Sequence, residues 1–164
     1  YRCEIVDKDE RPRTWKTYKG SSQIVGKIKQ RLRMKKVIVY GTLKKDGKLS
    51  TYLRDAKYVK DVIVTGFKMY DTKSGFPFIE VSDKKDTISG ELYEVDYMIL
   101  NTLDFIEGVK THDRGGRGLF SRIDLKDIRP KIKESTYIYV STIERMRWFG
   151  VEPEEIKGGF WKTN

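Results

Sequence analysis

The sequence predicts an α+β fold with more sheet than helix, and three observations support this. First, short runs rich in Val, Ile, Tyr and Phe recur between turn-forming residues across residues 37–143, which is typical of strands. Second, residues 34–164 contain one clear helical pattern, over Tyr97–Ile106. Third, 10 Tyr, 7 Phe and 3 Trp in 164 residues supply enough apolar surface for a single core. We therefore expect one main domain, residues 34–164, with a small N-terminal appendage, residues 1–33.

The appendage is predicted to be a ββα unit. Arg2–Val6 and Thr14–Tyr18 are β-prone and flank the turn-forming residues Asp7–Pro12. Ser21 and Ser22 offer an N-cap for a following helix. Its apolar residues fall at helical spacing with basic residues between them: Ile24, Val25, Ile28 and Leu32.

The positive charge of the chain is concentrated near the N-terminus, in the appendage and the two residues that follow it. Residues 1–35 contain 11 Lys or Arg and 4 Asp or Glu, which accounts for +7 of the total net charge of +10. Such a segment could bind nucleic acid or an acidic protein, because cationic side chains release counterions from phosphate backbones. The alternative is a solvated basic surface that only increases solubility.

Six strands are predicted in the main domain from apolar or alternating runs bounded by turns. They are Val37–Tyr40, Val59–Tyr70, Phe76–Val81, Ile88–Val95, Leu119–Leu125 and Ser135–Ile143. The segment Gly158-Gly159-Phe160-Trp161 is interpreted as a turn followed by an aromatic anchor.

The predicted helix Tyr97–Ile106 has recognisable ends, with Asp96 as N-cap and Gly108 as the terminating residue. Glu107 follows four residues after Leu103, so its carboxylate lies in line with the apolar stripe of the helix. Desolvation and the negative end of the helix dipole should both raise the pKa of Glu107 toward the range useful for proton transfer. The alternative is a carboxylate that turns outward at a fraying helix end, with Asp104 as a solvated neighbour.

The passage Tyr40-Gly41-Thr42-Leu43 predicts a tight turn after a buried strand. Backbone N–H groups around Gly41 could bind a carboxylate or an oxyanion. The alternative is an ordinary glycine turn at the end of a strand.

Other chemistries find little support in the sequence. Cys3 is the only cysteine and His112 the only histidine, so a metal site, an internal disulfide or a Ser/His/Asp triad is not expected. Arg114, Arg117 and Arg122 could bind an anion or lie in a solvated loop. No run approaches the length of a membrane span and no signal pattern is present, so we expect a cytoplasmic protein without membrane association.

Three segments, in order and at compatible spacing, resemble the γ-glutamyl cyclotransferase-like superfamily, which includes γ-glutamylamine cyclotransferases and AIG2-like proteins. Residues 37–44, VIVYGTLK, are similar to its opening strand and YGTL loop, and residues 89–96, SGELYEVD, to its G-E-L/V-Y strand. Residues 103–108, LDFIEG, are similar to the helix end that holds the catalytic glutamate of the family. With weaker likenesses at residues 75–78 and 156–161, the resemblance spans about residues 36–161.

The resemblance implies a compact mixed β-barrel flanked by helices, without metal or organic cofactor. It implies release of 5-oxoproline and an amine from γ-glutamyl compounds, with Glu107 as general base and then acid. The backbone of Tyr40, Gly41, Thr42 and Leu43 would hold the substrate carboxylate or oxyanion, and Tyr40 would help to wall the pocket.

Phe120 and Arg122 occupy positions where many relatives have Y-x-R, and both are expected to bind substrate. Phe120 lacks the hydroxyl group of that tyrosine, and Phe160 replaces an aspartate of the closing motif. These departures keep a second function open. It is a non-catalytic binding or regulatory module that uses the pocket and the basic residues 1–33.

Overall fold

The computed structural model describes residues 26, 34–83, 85–109, 118–129 and 131–162. The chain divides into two units, Tyr1–Leu32 and Arg33–Asn164, and the account that follows concerns the second. The strands, cap and basic helix predicted for the appendage lie outside the described residues apart from Gly26, as do Cys3, His112, Arg114 and Arg117.

Eight strands and three short α-helices make up the described part of the second unit. The strands are β1 (Lys35–Val39), β2 (Lys57–Thr65), β3 (Phe67–Asp71), β4 (Pro77–Val81), β5 (Thr87–Val95), β6 (Ser121–Asp124), β7 (Thr136–Val140) and β8 (Glu154–Glu155). The helices are α1 (Tyr97–Ile106), α2 (Leu125–Ile128) and α3 (Ile143–Trp148), with one 3₁₀ turn at Ser50–Leu53.

The strands pair into two sheets. The larger sheet has the order β2-β5-β1-β7-β6, in which β1 is parallel to β7 and the other pairs are antiparallel; the smaller sheet has the order β4-β3-β8. The α+β class is thus confirmed. In the described residues, the pairing leaves β2 and β6 as edges and closes no barrel, so the barrel stays a prediction.

The central position of β1 in the larger sheet explains why its sequence is a continuous apolar run. Successive side chains of a strand point to opposite faces, and both faces of β1 are covered. Val37 and Val39 belong to one buried cluster, together with Leu100 and Leu103 of α1. Ile38 belongs to a second cluster on the other face. The apolar run therefore places β1 between the two halves of the core, directly before the YGTL turn.

Three predicted strands need correction. The run Val59–Tyr70 is broken at Gly66, whose φ of +85° is a left-handed conformation that favours glycine, and its two parts enter different sheets. The strand predicted over Leu119–Leu125 ends at Asp124, whose carboxylate accepts a hydrogen bond from the Lys126 N–H and begins α2.

The strand predicted over Ser135–Ile143 ends at Val140. The Thr142 hydroxyl accepts a hydrogen bond from the Arg145 N–H and caps α3, which the sequence analysis did not predict. In both corrections an N-cap side chain converts the end of an apolar run into the first turn of a helix.

Candidate active site

Helix α1 ends at the candidate catalytic residue, and its bounds agree with the prediction. The Asp96 carboxylate accepts a hydrogen bond of 2.8 Å from the Ile99 N–H, which caps the first turn. Leu103 is fully buried, and the Glu107 N–H donates to the Leu103 carbonyl at 2.9 Å. Gly108 has a φ of +62°, so the chain turns away directly after Glu107. Glu107 is therefore held by the last hydrogen-bonded turn of a packed helix.

Glu107 lines a cavity of about 350 Å³ that it shares with the YGTL turn. The segment Tyr40–Leu43 forms part of the wall, and Phe120 forms another part. Six of the seven site residues named from the sequence therefore lie around one cavity. The volume falls within the range of about 300–1,000 Å³ that is common for small-molecule sites.

The YGTL turn has little freedom to move. A Cβ on Gly41 would lie 2.7 Å from Cγ of Pro77, so only glycine permits this approach. The Leu49 N–H donates to the Thr42 carbonyl at 2.9 Å and folds the following loop back on the turn. The N–H groups of Thr42 and Leu43 donate no hydrogen bond to another described residue. Backbone N–H groups without a protein partner are suited to binding an anionic group.

Burial raises the pKa of the Glu107 carboxyl to about 7. No Lys or Arg among the described residues forms an ion pair with it that would oppose this shift. A carboxyl with this pKa is present in both protonation states near neutral pH, so it can accept a proton and return it.

Tyr40 packs beside this carboxyl as part of the wall. Its hydroxyl donates to the Tyr139 carbonyl at 2.8 Å. Burial, and then the nearby Glu107 carboxylate, hold the pKa of Tyr40 well above its usual range. The phenol therefore stays neutral and serves as a fixed wall of the cavity.

Arg122 does not line the cavity. Its guanidinium forms an ion pair with Asp104 and lies 4.8 Å from the centre of the Tyr137 ring. The other Asp104 oxygen accepts a hydrogen bond of 2.8 Å from the hydroxyl of Tyr139, which does line the cavity. Asp104 is therefore not the solvated neighbour considered above. The Asp104–Arg122–Tyr139 network joins α1 to β6 and β7 next to Glu107.

Phe120 and Phe160, the two departures from the family motifs, have different surroundings. Phe120 is buried in the cavity wall, with its ring 6.3 Å from that of Phe76. Phe160 is about half exposed and lies 4.6 Å from the Lys44 ammonium, away from this cavity. The change at position 120 thus makes the cavity wall more apolar.

Sequence reasoning missed several lining residues. Tyr139, Leu119 and Lys48 carried no local signal, because they reach the cavity only through folding. Phe76 and Pro77 belong to a weak likeness at residues 75–78, and the structure places both in the wall. Among the described residues, no group of three His, Cys, Asp or Glu side chains could hold a metal ion.

The raised pKa of Glu107 predicts a pH-dependent stability gap between wild type and Glu107→Gln. In the unfolded chain the pKa should be near 4.5, against about 7 in the folded state. The contribution of Glu107 to stability is therefore fully present below pH 4.5 and is lost as pH rises through 7. The neutral amide of the variant avoids this loss. The free energy of unfolding of the variant, relative to that of wild type, should therefore be about 3 kcal/mol higher above pH 7 than at acidic pH.

Urea unfolding of both proteins across this pH range measures the gap. Glu144→Gln, at an exposed position of α3, serves as the control and should show no such gap. A constant difference between Glu107→Gln and wild type at all pH values would contradict the burial of this carboxyl.

A second buried carboxylate supports the YGTL turn from behind. Glu91 on β5 is 5% exposed, and its Oε2 accepts hydrogen bonds of 2.9 Å from the Lys45 N–H and from the Tyr93 hydroxyl. Lys45 follows Leu43 by two residues. Glu91 is therefore a positioning residue that fixes the loop bearing the turn.

Glu91→Met should leave the buried Tyr93 hydroxyl and the partly buried Lys45 N–H without their acceptor and lower the free energy of unfolding by about 1–3 kcal/mol. Because the turn then loses its support, the KM of a substrate should rise more than kcat falls. Glu91→Gln keeps an acceptor oxygen and should restore most of both properties. Denaturation and steady-state kinetics measure these effects, and equal behaviour of the Met and Gln variants would contradict the positioning role.

The fold and the cavity define a class: an α+β domain in which a buried carboxyl of raised pKa and a glycine turn line one largely apolar cavity. The family model "Gamma-glutamyl cyclotransferase, AIG2-like" matches residues 37–162. The chain therefore belongs to the AIG2-like gamma-glutamyl cyclotransferase family, as the motifs predicted. A comparison with curated proteins found no match.

Solved structures with a similar fold come from several organisms. Protein PH0828 of Pyrococcus horikoshii has 23% identity and a TM-score of 0.52, and the alignment covers 77% of this chain and 88% of that one. An AIG2-like protein of Mus musculus has 20% identity and a TM-score of 0.53, with 73% and 84% covered. Protein c4763 of uropathogenic Escherichia coli has 12% identity and a TM-score of 0.55, with 78% and 92% covered. At these identities the likeness shows the fold alone.

Within the described ranges, no helix is both long enough and apolar enough to cross a membrane. Cytoplasmic location stays a prediction.

Proposed function

We propose that this protein is a cyclotransferase that converts γ-glutamyl compounds into 5-oxoproline and a free amine. One observation carries the proposal: the Glu107 carboxyl, with its pKa raised to about 7, lines the same cavity as the backbone of Tyr40–Leu43. Membership of the gamma-glutamyl cyclotransferase, AIG2-like family supports it.

The reaction begins when the Glu107 carboxylate takes a proton from the α-ammonium group of the substrate. The freed amine attacks the γ-carbonyl carbon of the same molecule and closes a five-membered ring. Because both reacting groups belong to one molecule, the cavity needs mainly to hold the substrate folded. The N–H groups of Thr42 and Leu43 stabilise the oxyanion, or hold the α-carboxylate of the substrate.

The tetrahedral intermediate then collapses, and the bond between the γ-carbon and the leaving nitrogen breaks. Protonated Glu107 gives its proton to that nitrogen as the bond breaks. The ring nitrogen passes its second proton through the Glu107 carboxylate to the released amine, which departs as an ammonium ion, and Glu107 is again ionised. No water is consumed and no atom is lost. One carboxyl therefore performs both proton transfers, which requires a pKa near neutral pH, as burial provides here.

Release of 5-oxoproline from a panel of γ-glutamyl compounds, measured by mass spectrometry, tests the proposal. The panel contains γ-glutamyl amino acids, glutathione, γ-glutamyl-ε-lysine and simple γ-glutamyl amines. We expect release from at least one class. A folded protein that releases 5-oxoproline from none of them would contradict the proposal and favour the binding-module alternative, in which residues 1–33 contact nucleic acid or an acidic protein.

A further inference from the structure

The mouth of the cavity carries a cation that no step of the reaction uses. Lys48 lines the cavity and is exposed, whereas Glu107 lies deeper. The Lys48 Nζ lies 4.0 Å from the point that a Cβ on Gly75 would occupy, across the opening. Among the lining residues, Lys48 and Glu107 are the charged ones.

The backbone fixes the position of Lys48 relative to the YGTL turn. A Cβ on Gly47 would lie 2.0 Å from the Thr42 carbonyl oxygen, so the loop passes against the turn at a glycine. The Leu49 N–H donates to the same carbonyl at 2.9 Å. Lys48 lies between these two contacts, so its backbone cannot move away without breaking the packing of the turn.

The other lysines of this loop are directed elsewhere. The Lys44 Nζ donates to the Trp161 carbonyl at 2.9 Å, and the Lys45 ammonium lies 5.8 Å from the centre of the Tyr58 ring. Neither lines the cavity. Lys48 forms no ion pair with another described residue. Its charge is therefore available to a ligand at the mouth.

Resting on the proposed function, we infer that Lys48 is a specificity-determining residue that selects substrates whose departing amine carries an anionic group. The γ-glutamyl part must lie near Glu107 and Tyr40–Leu43, where the ring closes. The departing part then extends along the apolar wall of Leu49 and Phe76 toward the mouth. There Lys48 meets a carboxylate, so γ-glutamyl α-amino acids fit this site better than neutral or cationic γ-glutamyl amines.

A pair of substrates that differ by one charge tests this inference: γ-glutamylglycine and γ-glutamylglycinamide. The leaving amines differ in basicity, so the measured quantity is how each variant changes the ratio of the two kcat/KM values. Lys48→Met should lower the acid-to-amide ratio about fivefold, the upper end for an exposed ion pair. Lys48→Arg should keep the wild-type acid-to-amide ratio. Higher ionic strength should lower this ratio in wild type.

Lys45→Met is the matched control, because it removes the same charge from the same loop outside the cavity, and it should leave the ratio unchanged. An unchanged ratio in Lys48→Met would overturn the inference while 5-oxoproline release upholds the proposed function. An equal loss on both substrates would overturn it too, since Lys48 would then bind the γ-glutamyl part or only support the turn. Release from neither substrate by folded wild type that acts on another member of the panel would overturn the inference alone, whereas release from no member of the panel would overturn the proposed function as well.

Discussion

Glu107→Gln should lower the rate of 5-oxoproline release at least ~100-fold, the lower end for loss of a general acid–base residue. The amide has the shape of the acid but cannot accept the ammonium proton. Since the same group must return a proton to the leaving nitrogen, both halves of the reaction are affected. The measurement is kcat by mass spectrometry on the best substrate of the panel.

The pH profile provides an independent readout. With the pKa of Glu107 at about 7, the base is ionised above that pH, so kcat/KM of wild type should rise through this region as pH increases. The residual activity of the variant should lack this rise. Glu144→Gln, on the surface of α3, should keep the wild-type rate and profile. Full turnover by a folded Glu107→Gln protein would rule out the carboxyl as the proton carrier.

Leu103→Ala should lower the free energy of unfolding by about 2–5 kcal/mol, the range for truncating a fully buried leucine. Leu103 is 0% exposed and packs in the same cluster as Val37 and Val39 of β1. Its carbonyl also accepts the Glu107 N–H. The cavity left by the truncation would lie beneath the helix turn that holds the Glu107 carboxyl, so activity should fall as well.

Phe105→Ala is the matched control on the same helix. Phe105 is 86% exposed, so this larger truncation should change stability by no more than about 0.5 kcal/mol. Chemical denaturation compares the two variants directly. Equal destabilisation by both substitutions would show that α1 is not packed on its Leu103 side.

Local signals were sufficient for the helix that carries Glu107. Its apolar stripe, the Asp96 cap and the Gly108 terminator are all set within about a dozen residues, and the structure has each of them where it was predicted. Signals of the same kind did not identify the strand breaks at Gly66 and Thr142, because the apolar run continues past the point where each strand ends. A single glycine conformation and a single cap decide those breaks, and periodicity does not detect them.

Arg122 shows why site prediction from motifs has a limit. The motif predicts that Arg122 binds substrate. In the structure Arg122 forms an ion pair with Asp104, 18 residues away in the chain. Tyr139 lines the cavity although it lies about a hundred residues from the YGTL turn. Neither pairing leaves a trace in local sequence, because each depends on the order of strands in the sheet.

The sequence by itself determined the α+β class, the family, the bounds of α1 and the placement of Glu107 at its end, since each depends on residues close together in the chain. Only the tertiary structure decided that Glu107 and the YGTL turn share one cavity, how far burial raises the pKa of Glu107, and that Lys48 stands at the mouth. These properties arise from desolvation and from contacts between distant segments, which exist only after the chain has folded.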